Sequence, residues 1–179
     1  MKQSIKIIFT FLVVMWAAYF CSLFLPIQQF GLVPRTTVGL LGIITAPFLH
    51  GSLPHIIGNS ISFITFAVAL ALLEGDKMFS KVMLMVIIGG GLIWLFGRTA
   101  NHIGASGLIF SFWGYLLLSG WFSRKIKYII ASMILIFFYG GMVFGVLPGK
   151  VGVSWDGHLF GFIAGIFVSW LYHKNNREA

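Results

Sequence analysis

Six long apolar stretches, separated by short connections, restrict the fold of this chain more than any other sequence feature. They run approximately over residues 5–25, 55–73, 82–97, 106–122, 127–146 and 153–172. A transmembrane helix needs about 20 mostly apolar residues, so each stretch has roughly the required length. Only 9% of the residues are charged, whereas a soluble domain carries about 25%. The sequence therefore predicts an all-α integral membrane protein, with residues 1–179 forming one domain of six transmembrane helices, and it excludes a soluble enzyme or a disordered chain.

The basic residues predict the orientation of these helices. Although the formal net charge is +8, the basic residues stand singly or in small groups between apolar stretches, which is typical of membrane topology and not of a nucleic-acid-binding surface. With both termini inside, the inner segments contain Lys2, Lys6, Lys77, Lys81, Arg124, Lys125, Lys127, Lys174 and Arg177. The outer segments contain only Arg35, Arg98 and Lys150. This asymmetry predicts cytoplasmic N- and C-termini.

The connection between the first two spans is unusually long. Residues 26–54 contain several glycines and prolines, and within them residues 38–49 are apolar but too short and interrupted to span a bilayer. The backbone of such a segment needs hydrogen-bond partners from protein instead of lipid. We therefore expect this segment to lie in the membrane interface, with a simple apolar connector as the alternative.

The polar residues that could support chemistry converge on the outer side. Ionisable and hydrogen-bonding groups at membrane depth are costly, which makes them functional candidates. In the predicted topology they all lie near the outer starts of spans two, four and six, or in the preceding loops. These residues are His50, His55, Asn59, His102, Ser106, Asp156 and His158.

Ser106 is the candidate nucleophile. It lies between glycines in Gly104-Ala105-Ser106-Gly107, at the predicted start of span four. Small neighbours allow a substrate backbone to approach, and the N–H groups in the first turn of a helix lack intrahelical partners and could stabilise negative charge. The alternative is an ordinary helix-capping serine.

His158 is the candidate base. It shares one helical face with Gly161 and Gly165 at the start of span six. Small residues at this spacing allow a neighbouring helix to pack closely. If that neighbour is span four, the imidazole can take the proton of the Ser106 hydroxyl. A histidine solvated at the membrane interface is the alternative.

A third motif could supply hydrogen-bond donors. His55 and Asn59 are four residues apart and therefore lie above one another on span two. Two donors directed at one point suit an oxyanion hole, although structural hydrogen bonds between helices would explain them equally well. His50 precedes the helix and is expected to hold the long loop in place.

Together these residues resemble the rhomboid family of intramembrane serine proteases, over nearly the whole chain. The matching motifs are H-x4-H-x3-N at His50, His55 and Asn59; G-x-S-G at Gly104, Ser106 and Gly107; Gly114 eight residues after the serine; and H-x2-G-x3-G at His158, Gly161 and Gly165. Each motif is weak alone, but their order and spacing are specific.

The resemblance implies a six-helix rhomboid-like bundle with a half-submerged first outer loop. It also implies that Ser106 is the nucleophile and His158 the general base. It implies an oxyanion hole formed by the Ser106 N–H, His55 and Asn59. The residues implied to give structural support are His50, Gly104, Gly107, Phe110, Gly161 and Gly165. Residues 147–155 would form a mobile cap. The implied partners are the lipid bilayer and the transmembrane segments of other membrane proteins, cleaved near the outer face, and neither a metal nor another cofactor is implied.

Some positions differ from the family pattern. The Trp-Arg pair often found in the first loop is absent, and residues 34–35 are Pro-Arg. The aromatic residue four positions after the nucleophile is commonly Tyr in the family and is Phe110 here. A phenyl ring can pack on an imidazole but has no hydroxyl. Asp156 is expected to face away from His158 as an exposed interfacial charge, and His102 is expected to be solvated in its loop, or else to contact substrate or water.

Other membrane functions would also explain part of this pattern. A transporter or channel could use the buried polar groups, and a haem protein could use His50, His55, His102 or His158. A rhomboid-like pseudoprotease would share the fold, but such proteins usually lack the serine or the histidine. A metalloprotease is disfavoured because no H-E-x-x-H motif occurs. The protease interpretation is favoured. The compact six-span form predicts a bacterial inner membrane, with an organelle membrane as the alternative.

Overall fold

The computed structural model describes residues 1–149 and 152–175, and the regular elements of this part of the chain are all helices, without a β-strand. The predicted all-α class is therefore confirmed. The α-helices are α1 (Lys2–Ser22), α2 (Thr37–Thr45), α3 (Leu53–Glu74), α4 (Met78–Phe96), α5 (Ser106–Ser123), α6 (Ile126–Tyr139) and α7 (Trp155–Asn175). Short 3-10 helices occupy Ile27–Phe30, Ala46–Phe48, Gly75–Lys77 and Gly140–Val146.

Six of these helices coincide with the six predicted spans, while the seventh, α2, lies in the long first loop. The fifth span differs most from its prediction, because α6 ends at Tyr139 and continues as a 3-10 helix from Gly140. Two consecutive glycines, Gly140 and Gly141, explain this change, since glycine disfavours a continuing α-helix.

Three segments of the described chain are long and apolar enough to cross a membrane on length and composition. They are Lys2–Ser22, Leu53–Phe96 and Ile126–Val146, and the second, of 44 residues, contains both α3 and α4. Helix α5 has a different character because it lies in the centre of the bundle, against α3, α4, α6 and α7. Its glycines and serines suit helix contacts better than lipid. The six-span topology itself stays a prediction.

Local sequence explains where the helices begin and end. Ser52 caps α3 by accepting a hydrogen bond from the His55 N–H at 3.4 Å, and proline occupies the first turn. The same helix ends at Gly75, whose φ of +55° suits glycine. Helix α4 follows after only a single 3-10 turn, so α3 and α4 run in opposite directions.

Helices α5 and α7 form the most intimate pair in the bundle. A Cβ added at Gly161 would overlap the carbonyl of Gly107, and one added at Gly165 would overlap the carbonyl of Ser111. On α5, a Cβ added at Gly114 would likewise overlap the carbonyl of Phe162 in α7. The two backbones therefore touch directly, which is possible only because these positions have no side chain.

The two ends of the bundle differ in charge. The amino terminus bonds to Asp76 at 3.1 Å and Lys127 Nζ donates to the Leu73 carbonyl at 3.0 Å, so the start of α1, the α3–α4 turn and the start of α6 share one end. We call this the basic end, because its described residues include Lys2, Lys6, Lys77, Lys81, Arg124, Lys125, Lys127 and Lys174. The opposite end, where α5 begins, is called the serine end, and its described basic residues are Arg35 and Arg98.

The first loop folds back onto the serine end. Leu32 and His102 exchange backbone hydrogen bonds of 2.9 Å in both directions, which joins this loop to the α4–α5 connection. Arg35 takes a left-handed conformation, with φ of +59°, and its guanidinium donates to the carbonyls of Leu95 and Gly97. Residues 38–49, expected at the membrane interface, form α2 and the following 3-10 turn. Their submersion in lipid stays a prediction.

Candidate active site

Ser106 lies at the first position of α5, directly after a strained turn. Gly104 has φ of +112°, and a Cβ there would lie 2.6 Å from His55 Nε2. Glycine is therefore required both by the backbone conformation and by the close approach of the imidazole. The Gly104 N–H donates to the Ala46 carbonyl at 2.9 Å, which fixes the turn to the first loop. The Ser106 N–H follows in the first helical turn, where it has no partner four residues earlier.

The hydroxyl of Ser106 contacts the imidazole of His158. Ser106 Oγ and His158 Nε2 are 2.9 Å apart, and His158 Nδ1 is 2.9 Å from the Gly145 carbonyl. A carbonyl only accepts hydrogen bonds, so Nδ1 carries the proton and Nε2 is left to accept the proton of the serine hydroxyl. This tautomer is the one that a general base requires.

An aromatic ring holds the imidazole in this position. Phe110 stacks on His158 with ring centroids 4.2 Å apart and an interplanar angle of 6°. A Cβ at Gly145 would lie 2.6 Å from Phe110 Cζ, so glycine allows the accepting carbonyl to approach the stacked rings. Stacking and one backbone carbonyl thus orient His158 in the absence of a carboxylate contact to its Nδ1.

His50 lies behind the site and is fully buried. Its Nδ1 is 3.3 Å from the Phe48 carbonyl, which places the proton there and leaves Nε2 to accept from Asn59 Nδ2 at 2.9 Å. Burial, together with the neighbouring His55, lowers the pKa of His50 to about 4. A neutral His50 therefore holds Asn59 by one amide proton and leaves the other for a second acceptor.

These side chains open into one polar cavity at the serine end. The cavity has a volume of about 570 Å³, and Ser106, His158, His55 and Asn59 all line it. The α6–α7 connection contributes residues 152–154 to its wall. The proposed cap, 147–155, includes residues 150–151, which lie outside the described residues, and its mobility stays a prediction.

Two expectations for neighbouring residues were wrong. Asp156 is only 2% exposed instead of being an interfacial charge, because it accepts hydrogen bonds from the Arg98 N–H at 2.8 Å and from the Arg98 guanidinium at 3.0 Å. His102 is 4% exposed instead of solvated, with Nδ1 2.9 Å from Ser154 Oγ and Nε2 3.1 Å from the Arg98 carbonyl. Both side chains join the α4–α5 connection to the start of α7.

Sequence reasoning missed Gly145, Arg98 and Ser154. A carbonyl has no sequence signature, so nothing pointed to the role of Gly145. Arg98 and Asp156 are opposite charges at the ends of two apolar stretches, and this could have indicated an ion pair. No three His, Cys, Asp or Glu side chains are grouped to hold a metal ion within residues 1–149 and 152–175.

Comparison with known proteins identifies the family. The sequence profile of the Rhomboid domain matches residues 37–175. The chain belongs to the rhomboid family. Rhomboid proteins are generally serine intramembrane proteases, and membership together with the apolar helices makes this chain an integral membrane protein.

Curated relatives of this rhomboid protein come from several bacteria. An uncharacterized protein of Mycobacterium tuberculosis is 36% identical over an alignment of 158 residues, which covers 83% of this chain and 66% of that protein. An uncharacterized protein of Mycobacterium leprae is 40% identical over 149 residues, 78% of this chain and 59% of that protein. A Bacillus subtilis protein named "Putative rhomboid protease YdcA" is 31% identical over 137 residues, 72% of this chain and 65% of that protein. The rhomboid chain thus spans between 59% and 66% of the length of these relatives.

Proposed function

We propose that this rhomboid protein is an intramembrane serine endopeptidase that uses Ser106 and His158 as a catalytic dyad. The observation that carries the proposal is the 2.9 Å contact between Ser106 Oγ and His158 Nε2, with the Nδ1 proton directed to the Gly145 carbonyl. A serine hydroxyl is a weak nucleophile unless a base accepts its proton. Here the base is present, correctly protonated, and open to the same polar cavity as the hydroxyl.

The reaction follows from this geometry. His158 Nε2 takes the hydroxyl proton as Ser106 Oγ attacks the carbonyl carbon of the scissile peptide bond, giving a tetrahedral oxyanion. The imidazolium then protonates the leaving amine, the C–N bond breaks, and an acyl-serine ester remains. A water molecule, deprotonated by the same imidazole, hydrolyses the ester and regenerates Ser106. No metal or other cofactor takes part in these steps.

Three groups are suited to stabilise the oxyanion. The Ser106 N–H lies in the first turn of α5, and the side chains of His55 and Asn59 line the cavity beside it. One Asn59 amide proton is held by His50, which fixes the amide and leaves the second proton available. Donors fixed in place before the reaction stabilise developing charge at little reorganisation cost.

The proposed substrates are transmembrane segments of other membrane proteins, cleaved near the outer face of a bacterial inner membrane. The uneven charge of the two ends supports this orientation, since a basic end belongs on the cytoplasmic side and would place Ser106 near the opposite surface. An unwound or helix-breaking segment fits best, because a regular helix satisfies its own carbonyls and hides the scissile bond.

A fluorophosphonate probe tests the proposal directly. We expect the purified protein to be labelled and to cleave a membrane-anchored reporter, and we expect Ser106→Ala and His158→Ala to lose both activities. Ser119→Ala is the matched control, because Ser119 is a buried serine of the same helix whose hydroxyl donates to the Leu116 carbonyl. Cleavage by Ser106→Ala at the wild-type rate would refute the assignment.

A further inference from the structure

A second polar cavity lies at the basic end, at the opposite end of the bundle from Ser106. It has a volume of about 710 Å³ and is bounded by the α3–α4 turn, the start of α6 and the end of α7. Lysines from three different segments line it, namely Lys77, Lys81 and Lys125. The dyad chemistry uses none of these residues.

The only carboxylate in the described lining is already neutralised. Glu74 Oε2 is 3.0 Å from Lys81 Nζ, and these two side chains are 6% and 2% exposed. The hydroxyl of Tyr115 donates to Glu74 Oε1 at 2.7 Å. Buried ion pairs of this kind persist when their remaining hydrogen-bonding capacity is also satisfied. Lys81 and Glu74 therefore form a fixed, neutral floor.

The remaining positive charge has no counter-ion in the described protein. Within residues 1–149 and 152–175, no carboxylate lies within ion-pair distance of Lys77 or Lys125. Lys127 adds a third ammonium at the rim, where it donates to the Leu73 carbonyl. Asp76, the nearest acidic neighbour in sequence, pairs instead with the amino terminus at 3.1 Å. Among the described residues, the cavity is thus a concave site with an excess of positive charge.

Its other walls suit an amphipathic anion. The polar part of the cavity wall includes the hydroxyl groups of Ser80, Tyr128 and Tyr172. The apolar part includes Leu84 and Leu171. In a membrane-embedded bundle, the end of the helices lies at the level of the lipid headgroups. Basic pockets between transmembrane helices on the cytoplasmic side are suited to phosphate-bearing headgroups.

We infer that this basic-end cavity binds a phosphate anion, with Lys77 and Lys125 as its ionic ligands above the Lys81–Glu74 floor. The phosphate can belong to an anionic phospholipid headgroup or be free in the cytoplasm, and both sources present the same charged oxygens to the two lysines. The inference is independent of the proposed protease activity.

Binding here would stabilise the whole bundle. Glu74 ends α3, Lys81 belongs to α4 and Tyr115 to α5, while His173 of α7 has its Nε2 3.4 Å from the Tyr115 hydroxyl. The floor of the cavity therefore joins four helices. A ligand that binds only the folded protein raises its melting temperature in proportion to the logarithm of its concentration.

The test measures thermal unfolding of the full chain in a neutral detergent, with added phosphatidylglycerol, phosphatidylcholine or inorganic phosphate. We expect phosphatidylglycerol to raise the melting temperature by several degrees and phosphatidylcholine to have little effect. Each of Lys77→Gln and Lys125→Gln should weaken phosphatidylglycerol binding about fivefold. Lys2→Gln and Lys174→Gln are the controls, because these lysines are exposed at the same end but do not line the cavity.

Each outcome decides one part of the inference. Equal stabilisation by inorganic phosphate would support the site and identify a free anion as its source, whereas stabilisation by the lipid alone would identify the headgroup. The inference would be overturned if neither phosphatidylglycerol nor inorganic phosphate stabilised the protein more than phosphatidylcholine does, or if the control and cavity variants lost binding equally. If the variants unfold, bound phosphatidylglycerol counted by native mass spectrometry at low temperature gives the same comparison.

Discussion

Replacing Gly161 by alanine tests the close packing of α5 and α7 more sharply than any other single change. The added Cβ would lie 2.9 Å from the Gly107 carbonyl carbon and 3.3 Å from its Cα, and it would overlap the carbonyl oxygen. All three atoms are backbone, so no side chain can rotate away. Carbon atoms prefer a separation of about 3.5 Å or more, so the two helices must move apart by roughly 1 Å.

The magnitude follows from two opposing effects. Overpacking of this kind costs about 1–3 kcal/mol, whereas alanine in place of glycine in a helix contributes about 0.5–1 kcal/mol of stabilisation. We therefore expect Gly161→Ala to lower the free energy of unfolding by about 1–2 kcal/mol. Activity should fall further, because Gly107 adjoins Ser106 and Gly161 is three residues from His158. A misplacement of about 1 Å at reacting groups can cost about 100-fold in rate.

Gly91→Ala is the matched control, since Gly91 is also a helical glycine but its added Cβ would have, apart from its own helix backbone, no described atom within 4 Å. We expect it to keep its activity and to gain up to about 1 kcal/mol of stability. The assays are thermal unfolding in detergent and the initial rate of fluorophosphonate labelling. Unfolding of Gly161→Ala at the wild-type temperature, together with labelling at the wild-type rate, would show that the two helix backbones are not packed this closely.

Three further predictions concern the serine end. Asp156→Asn should lower the free energy of unfolding by about 2 kcal/mol, because it weakens the charged hydrogen bonds to Arg98. The control Asp76→Asn, at an exposed ion pair, should change the free energy of unfolding by less than about 0.5 kcal/mol. Equal melting temperatures of the two variants would contradict this difference. The pKa of His50 is lowered to about 4, below the value of about 6.5 for an unfolded histidine. As the pH falls, the unfolded chain therefore binds a proton at His50 before the folded chain does. The stability that depends on neutral His50 is complete above about pH 6.5 and decreases by on the order of 3 kcal/mol as the pH falls towards 4. Unfolding of wild type and His50→Gln measured as a function of pH tests this, and parallel curves for the two proteins would refute it. Asn59→Ala should reduce turnover less than Ser106→Ala does, because other oxyanion donors remain, and complete loss of turnover in a folded variant would show that Asn59 has another role.

Much of the architecture could be read from the sequence because it depends on local pattern. The helices lie where apolar residues run for about 20 positions, and they end at glycines such as Gly75 and Gly97. The grouping of Ser106, His158, His55 and Asn59 at one end followed from counting basic residues in the connections. Both inferences use only neighbours in the chain and the rule that bilayers sort charge.

The burial and the hydrogen-bond partners of individual polar residues could not be predicted in this way. Asp156 and His102 were expected in contact with solvent and are buried, because their partners, Arg98 and Ser154, come from distant segments. Likewise, the buried pair of Lys81 and Glu74 exists only because α3 and α4 turn back on each other. The sequence shows which side chains are polar, but it does not show which of them form hydrogen bonds or ion pairs with each other.

Local sequence pattern was therefore enough to predict six of the helices, their order and the end of the bundle at which the candidate nucleophile and base lie. Only the folded chain shows that the Gly145 carbonyl fixes the tautomer of His158, and that Gly161 touches a neighbouring backbone while the added Cβ of Gly91 would meet no other described segment. The difference lies in how far apart in sequence the interacting residues are. Helix formation and charge sorting depend on neighbouring residues, whereas hydrogen-bond direction and backbone contact depend on atoms brought together from remote parts of the chain.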